Sequence, residues 1–194
     1  MERRDPLAAV IRRAQQREPA AFDELVDRFS GPLFGLLYRL TGSRHDAEDL
    51  LQEVFLRVVR RLEGYKHEGR FEAWLYRIAV NLVRDHVRWK KRHRTISEYA
   101  GASQVDGSEG LAGHPAGEPP PDQPLDAAQQ ADRLQKALQQ LPAPEREVIM
   151  LRHFSDMSFS QIAQVMDTPL GTALARAHRG LARLRRIMEG GDQS

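Results

Sequence analysis

The 194-residue sequence contains no cysteine. That excludes disulfides and every thiolate site for zinc or an iron–sulfur cluster, and it fits a reducing compartment. Aromatic residues make up only 7% of the chain and charged residues 29%, a balance that suits small helical domains better than one large core. No apolar run approaches the roughly 18 residues that a membrane span requires. The N-terminal stretch MERRDPLAAVIRRAQQREP lacks the apolar core and cleavage site of a secretory signal. A cytoplasmic protein without membrane insertion is therefore expected. Chemical motifs are equally sparse. There is no Gly-rich phosphate loop, nucleophile motif or metal-ligand spacing, and His45, His67, His86, His93, His114, His153 and His178 are scattered. The expectation is a protein with no catalytic residues, no metal and no cofactor.

Charge is present, but unevenly. Residues 1–94 carry 20 Lys and Arg against 14 Asp and Glu, a net of +6. Residues 95–127 carry six acids and no Lys or Arg, a net of −6, and residues 128–194 return to +2. Two basic blocks flank an acidic one, so the overall +2 hides a polycation. The acidic block, including GASQVDGSEGLAGHPAGEPPPDQP, has too few large apolar residues to offset its ordering entropy. It reads as a flexible linker between two domains.

Both flanks read as helix, and no β alternation competes. Phe22, Leu25, Val26 and Phe29 form one apolar stripe, with Leu33, Leu36, Leu37 and Leu40 continuing after an expected break at Gly31-Pro32. Ser43 is placed to cap the next helix. That helix carries Ala47, Leu50, Leu51, Val54, Phe55, Val58 and Leu62 on one face. A further stripe runs from Phe71 through Trp74, Leu75, Ile78, Ala79, Leu82 and His86, with Trp74 read chiefly as core. Beyond the linker, Leu141-Pro142 stops one helix and Pro144 opens another. Ser158 and Gln161 then match a capping box, and Asp167-Thr168 breaks the short helix that follows. Two short helices joined by a tight turn, the second ending in arginines, describe a helix-turn-helix, although its turn lacks the usual glycine. The fold class is all-α, in two small domains.

The helix within "RIAVNLVRDHVRWKKRHR" is unusual. Arg77, Asn81, Arg84, Arg88 and Lys91 fall on one helical stripe opposite the apolar one. A solvated face would account for the charge alone. A nucleic-acid surface would also use the amide, which can meet a base edge, and Trp89, on which an unstacked base can rest.

"DAEDLLQEVFLRV", "FEAWLYRIAVNLVRDH" and "LPAPEREVIMLRHFSDMSFSQIAQVMDTPLGTALARAHRGLARLR", in that order, resemble the extracytoplasmic-function (ECF) sigma factors of the sigma-70 family. The first two match that family's region 2 and the third its region 4. The implied organisation is an N-terminal extension at 1–19, region 2 at 20–94, the linker at 95–127, region 4 at 128–188 and a tail at 189–194.

The resemblance implies a bacterial RNA polymerase initiation factor. It would bind the core enzyme through the β′ clamp and β flap, recognise promoter DNA and nucleate strand opening. Asp49, Gln52, Glu53 and Arg57 would face the clamp helices. Arg77, Asn81, Arg84, Arg88, Trp89, Lys90 and Lys91, with the loop before their helix, would hold the minus-ten element as single strand. Thr172, Leu174, Ala175, Arg176, His178 and Arg179 match the helix that reads the minus-thirty-five element. Leu174-Ala175 departs from the family's basic-residue-then-Ser pattern. Leu174 is thus open to two readings, contact with a thymine methyl or packing in the core. Ala173, Ala177 and Gly180 share a small-residue face that permits close packing on the preceding helix. The family's usual further partner is an anti-sigma factor, often membrane-anchored, held between the two domains.

Overall fold

The computed structural model describes residues 6–99 and 125–190. Among these the regular structure is all helix: α1 (Pro6–Gln15), α2 (Pro19–Thr41), α3 (Arg44–Leu62), α4 (Phe71–Tyr99), α5 (Leu125–Gln139), α6 (Ala143–Phe154), α7 (Phe159–Met166) and α8 (Leu170–Gly190). None of these helices is long and apolar enough to cross a membrane. α4 ends and α5 begins inside the stretch assigned to the linker, and the rest of that stretch, 100–124, lies outside the described residues.

The first four helices form one bundle around α2. The expected break at Gly31-Pro32 does not occur, and α2 runs continuously through Pro32. A proline inside a helix removes one hydrogen bond and crowds the carbonyl four residues back. Here that carbonyl belongs to Arg28, on the exposed side, as Pro32 itself is. Burial of Phe29, Leu33, Leu36, Leu37 and Leu40 along the opposite side holds the helix together across the defect. α2 then ends at Gly42, whose φ of 75° closes the helix through a 2.8 Å bond from its N–H to the Tyr38 carbonyl. Ser43 caps α3, its hydroxyl accepting from the Asp46 N–H. The N-terminal extension is not a continuation of α2. It forms the separate helix α1, turned at Arg17 with φ 63°, and buries Leu7, Ile11 and Ala14 against the bundle.

In the second half, α8 packs across α5, α6 and α7. The capping box at the start of α7 is present in both directions between Ser158 and Gln161. The glycine-free turn is made by Asp167, which takes the left-handed conformation at φ 51° and donates its N–H to Ala163 and Gln164. Asp is one of the few residues that tolerate this region. The small face of α8 is buried as expected, and α8 packs on α6 as well as on the preceding α7, meeting α6 at Gly180. A Cβ on Gly180 would lie 2.8 Å from Ile149 Cδ1 and 3.1 Å from Glu145 Cβ.

The two halves do not stand apart. α4 packs on α7, and α2 packs on α5 and α6, so one apolar cluster runs from Leu7 to Ala177. Polar contacts line the seam. Gln139 Nε2 donates to the Arg39 carbonyl at 2.8 Å, Gln135 reaches the Tyr38 carbonyl, and the Arg39 guanidinium lies 3.8 Å from the Phe154 ring centroid.

Candidate nucleic-acid interface

The stripe on α4 is divided by its neighbours. Asn81 is exposed and Arg88 largely so, the latter donating to Asp85 at 2.6 Å. Arg84 instead turns toward α6. Its Nη2 and Nε donate to the two oxygens of Glu147 at 2.7 and 3.1 Å, and the Glu147 side chain is only 4% exposed. Arg77 faces Asp167 at 3.9 Å. Lys91 lies on the exposed side. Trp89 is half exposed and its ring packs 4.1 Å, centroid to centroid, from that of His93.

Lys90 is not available as a free cation. It donates at 2.6 Å to Asp46, a buried carboxylate in the first turn of α3. His86 Nε2 sits 3.4 Å from the other Asp46 oxygen. Burial alone would raise the Asp46 pKa, but the Lys90 hydrogen bond and charge, with His86, hold it below the ordinary aspartate value. Asp46 thus ties α4 to the start of α3. Because the carboxyl pKa is lowered on folding, its stabilisation is complete above pH ~4 and is lost as pH falls through the folded value. Asp46→Asn is expected to lower stability at neutral pH by about 1.5 kcal/mol, the low end for a charged hydrogen bond because Lys90 is half exposed. The variant should also lose part of the acid sensitivity. Urea unfolding at pH 7 and pH 3 checks both, and an equal loss at the two pH values would contradict this account.

The resemblance pointed to the loop before α4 but not to the residues that form the cleft beside Arg77. The loop between α3 and α4 closes a space of about 170 Å³ lined by Tyr65, Lys66, Glu68, Arg70, Ala73, Trp74 and Arg77, with Gln164 of α7 on the far side. Tyr65 and Trp74 approach to 4.7 Å between centroids, and Phe71 completes the aromatic group at 5.6 and 5.5 Å. Trp74 therefore both packs on the core and lines the cleft. Gln15 of α1 donates to the Leu62 and Tyr65 carbonyls at 3.0 and 2.6 Å, so the N-terminal extension braces this loop. Aromatics and cations clustered at a loop were the available signal. Periodicity, which weighs faces of helices, does not register it.

On α3, Asp49 and Gln52 are exposed, while Glu53 and Arg57 pair at 2.9 Å. Leu56 and Val59, absent from the expected set, are 49% and 54% exposed. They continue the Asp49–Gln52 line along the helix, an apolar addition that suits a partner surface. On α8, Leu174 is 44% exposed and therefore not core. His178 and Arg179 are exposed, and Thr172, Ala175 and Arg176 are half-buried. Glu145, buried on α6, faces Arg179 at 3.6 Å and Arg183 at 3.2 Å, which sets how these cations leave the helix.

Comparison with known proteins agrees with this layout. The Sigma-70 region 2 family matches residues 25–93, and the Sigma-70, region 4 family matches 131–184. The ECF RNA polymerase sigma factor SigW of Bacillus subtilis (strain 168) is 31% identical over 179 residues, 91% of this chain and 93% of its own. The ECF RNA polymerase sigma factor SigE of Mycolicibacterium smegmatis is 37% identical over 165 residues, 85% of this chain and 60% of its own. The solved structure of the sigma factor RpoE with the anti-sigma factor NepR from Bartonella quintana gives a TM-score of 0.66 at 24% identity. It covers 87% of this chain and 96% of that one, a likeness of fold. Two family regions thus fall, in order, on the two bundles that carry the basic helix and the helix-turn-helix, and the chain belongs to the extracytoplasmic-function group of the sigma-70 family, as an RNA polymerase sigma factor and not an enzyme.

Proposed function

We infer that the faces described above divide the work of promoter use in the cytoplasm. α3, through Asp49, Gln52, Glu53 and Arg57 and the exposed Leu56 and Val59, docks on the polymerase clamp. The α3–α4 loop and α4 hold the melted minus-ten strand. Arg77, Arg84, Arg88 and Lys91 neutralise phosphates, Asn81 meets a base edge, and the aromatic cleft or Trp89 receives an unstacked ring. α8 lies in the major groove of the minus-thirty-five element, where Leu174 offers an apolar contact to a thymine methyl and Arg176, His178 and Arg179 offer donors. Region 4 also meets the β flap. An anti-sigma factor, the kind of partner that accompanies the Bartonella protein, restrains the chain when it is not needed.

The observation that supports this reading most is the pairing of exposed Asn81 and half-exposed Trp89 with a basic stripe that runs past an aromatic cleft. A merely solvated helix has no use for that combination. Asn81→Ala with Trp89→Ala is expected to weaken promoter opening more than duplex binding, since stacking on an aromatic contributes about 1–3 kcal/mol per base. Permanganate reactivity of the melted region in a polymerase complex reads the opening, and a duplex shift assay reads the binding. Equal losses in both would return the two residues to ordinary helix surface.

A further inference from the structure

We propose that Gln15 of α1 is a positioning residue for the aromatic cleft. It supplies a donor to the end of α3 from outside that helix, and so fixes Tyr65, whose ring walls the space for an unstacked minus-ten base. This rests on the reading of the cleft as a base receptor, and it adds what sets the cleft's shape. Gln15 lies outside the span that the region 2 family matches, residues 25–93, and is not among the residues that line the cleft.

The need arises at the C-terminus of α3. The last carbonyls of a helix have no donor within it, and many helices find one by turning into a left-handed glycine. α3 does not: its C-cap residue, Glu63, keeps the right-handed conformation at φ −57° and ψ −41°. The Leu62 carbonyl accepts from the Tyr65 N–H at 3.0 Å. Gln15 Nε2, with two hydrogens to give, donates to the same Leu62 carbonyl at 3.0 Å and to the Tyr65 carbonyl at 2.6 Å. One amide thus ties the helix end to the loop residue that walls the cleft. The Tyr65 ring has no polar anchor of its own, because its hydroxyl is buried and makes no hydrogen bond among the described residues. It packs on Trp74 and Phe71 at 4.7 and 5.6 Å between centroids. Apolar packing is non-directional, so the carbonyl bonds are what set where the ring stands.

Gln15 is itself held. It is the last residue of α1, whose Leu7, Ile11 and Ala14 are buried against the bundle. The elbow that follows, with Arg17 at φ 63°, is braced by Arg13, which donates to Glu18 at 2.8 Å and to Glu24 of α2 at 2.9 Å. A second link between α1 and the end of α3 is the Arg17–Glu63 pair at 3.2 Å. Its side chains are 83% and 74% exposed, so water screens it and it fixes little. A binding site works only while its walls stay within about 0.5 Å of the productive geometry. Loss of the Gln15 donor should therefore be felt in base binding before it is felt in folding.

The test uses the full chain assembled with core polymerase. Gln15→Met keeps the length of the side chain and removes the donor. The probes are forked duplexes cut from a promoter that the wild-type holoenzyme opens, intact or with one abasic nucleotide at each position of the melted strand in turn. The wild type should lose about tenfold in affinity when the missing base is the one that enters the cleft, as expected for one lost stacking contact. In Gln15→Met the intact fork should bind about fivefold more weakly and the fork lacking that base as in the wild type, so the penalty at that position shrinks to about twofold. Penalties at the other positions, capture by core polymerase and affinity for a duplex carrying the minus-thirty-five element should stay within about twofold, being distant and independent. Equal weakening of every fork marks Gln15 as an ordinary structural residue and overturns the inference. A wild-type pattern in the variant also overturns it, while leaving the cleft as the base receptor. If no position is penalised in the wild type, the receptor reading fails and takes the inference with it. Should Gln15→Met lower the melting temperature by more than about 5 °C, Gln15→Asn, whose amide is one carbon too short to serve both carbonyls, must give the same position-specific loss, and its absence counts against the inference equally. Glu63→Gln, which breaks only the exposed link between α1 and α3, should match the wild type throughout. An effect equal to that of Gln15→Met would assign the positioning to the α1–α3 contact in general and overturn the role of Gln15.

Discussion

Gly180→Val is expected to destabilise the folded chain by about 2–3 kcal/mol, the cost of forcing methyl groups into a packed contact. The Cβ alone would sit 2.8 Å from Ile149 Cδ1, 3.1 Å from Glu145 Cβ and 3.4 Å from the Glu145 carbonyl oxygen. Ile149 Cδ1 ends a flexible side chain and can turn away. The Glu145 atoms belong to the α6 backbone and the base of a side chain, so α8 itself must move. Valine is intrinsically a better helix former than glycine by about 0.3–0.5 kcal/mol, which offsets little of this. For a cooperative unit of this size the melting temperature should fall by about 5–10 °C. The displacement would also shift Glu145 relative to Arg179 and Arg183, so duplex binding through α8 should weaken with it. Gly171→Ala on the same helix is the control. A side chain there meets nothing within 4 Å, and stability should hold or rise. A Gly180→Val protein that melts with the wild type would show that α6 and α8 are not in intimate contact.

Reversing both acids on α3, Asp49→Arg with Glu53→Arg, should weaken binding to the polymerase core at least about 100-fold, because like charges facing across an interface cost several kcal/mol. The fold itself should tolerate the change. Asp49 is exposed, its partner His45 lies at 3.6 Å with 83% exposure, and the Glu53–Arg57 pair is at the surface. Losing that pair and gaining a like-charge i,i+4 contact costs only about 0.2–0.5 kcal/mol each. Circular dichroism and thermal melting establish that the variant is folded, and a pull-down with core polymerase measures the interaction. Normal capture by the folded double variant would remove α3 from the polymerase interface.

The separate helix α1 and the reach of α4 and α5 into the assigned linker were not legible in the sequence. The apolar stripes of α2, α3, α4 and α6–α8, the caps at Ser43 and Ser158, the stop at Leu141-Pro142 and the buried face of α8 were, as was the family, from three motifs in order. These features are local. Apolar periodicity, a hydroxyl three residues before a free N–H and a proline that cannot donate act over one or two turns and need no knowledge of the rest of the chain. One misreading came where burial along the helix outweighed the local rule: Pro32 did not break α2, because five buried residues on the other face held the helix. The turn before α8, read correctly although it has no glycine, takes its left-handed residue from Asp167.

The candidate site divides in the same way. The sequence by itself determined which residues share the α4 stripe, since a helix of known register places Arg77, Asn81, Arg84 and Arg88 on one line whatever surrounds it. Only the tertiary structure decided what each of them faces. It turned Arg84 onto Glu147, 63 residues away, tied Lys90 to Asp46 across 44, and assembled Tyr65, Trp74 and Arg77 into a cleft that Gln164 lines from the other half. It also exposed Leu174, which the sequence left between two readings. The reason is physical: periodicity distinguishes the buried side of a helix from its polar side. Which charge a polar side chain meets depends on how separate helices pack, and that is set by side-chain shape and burial summed over the whole fold.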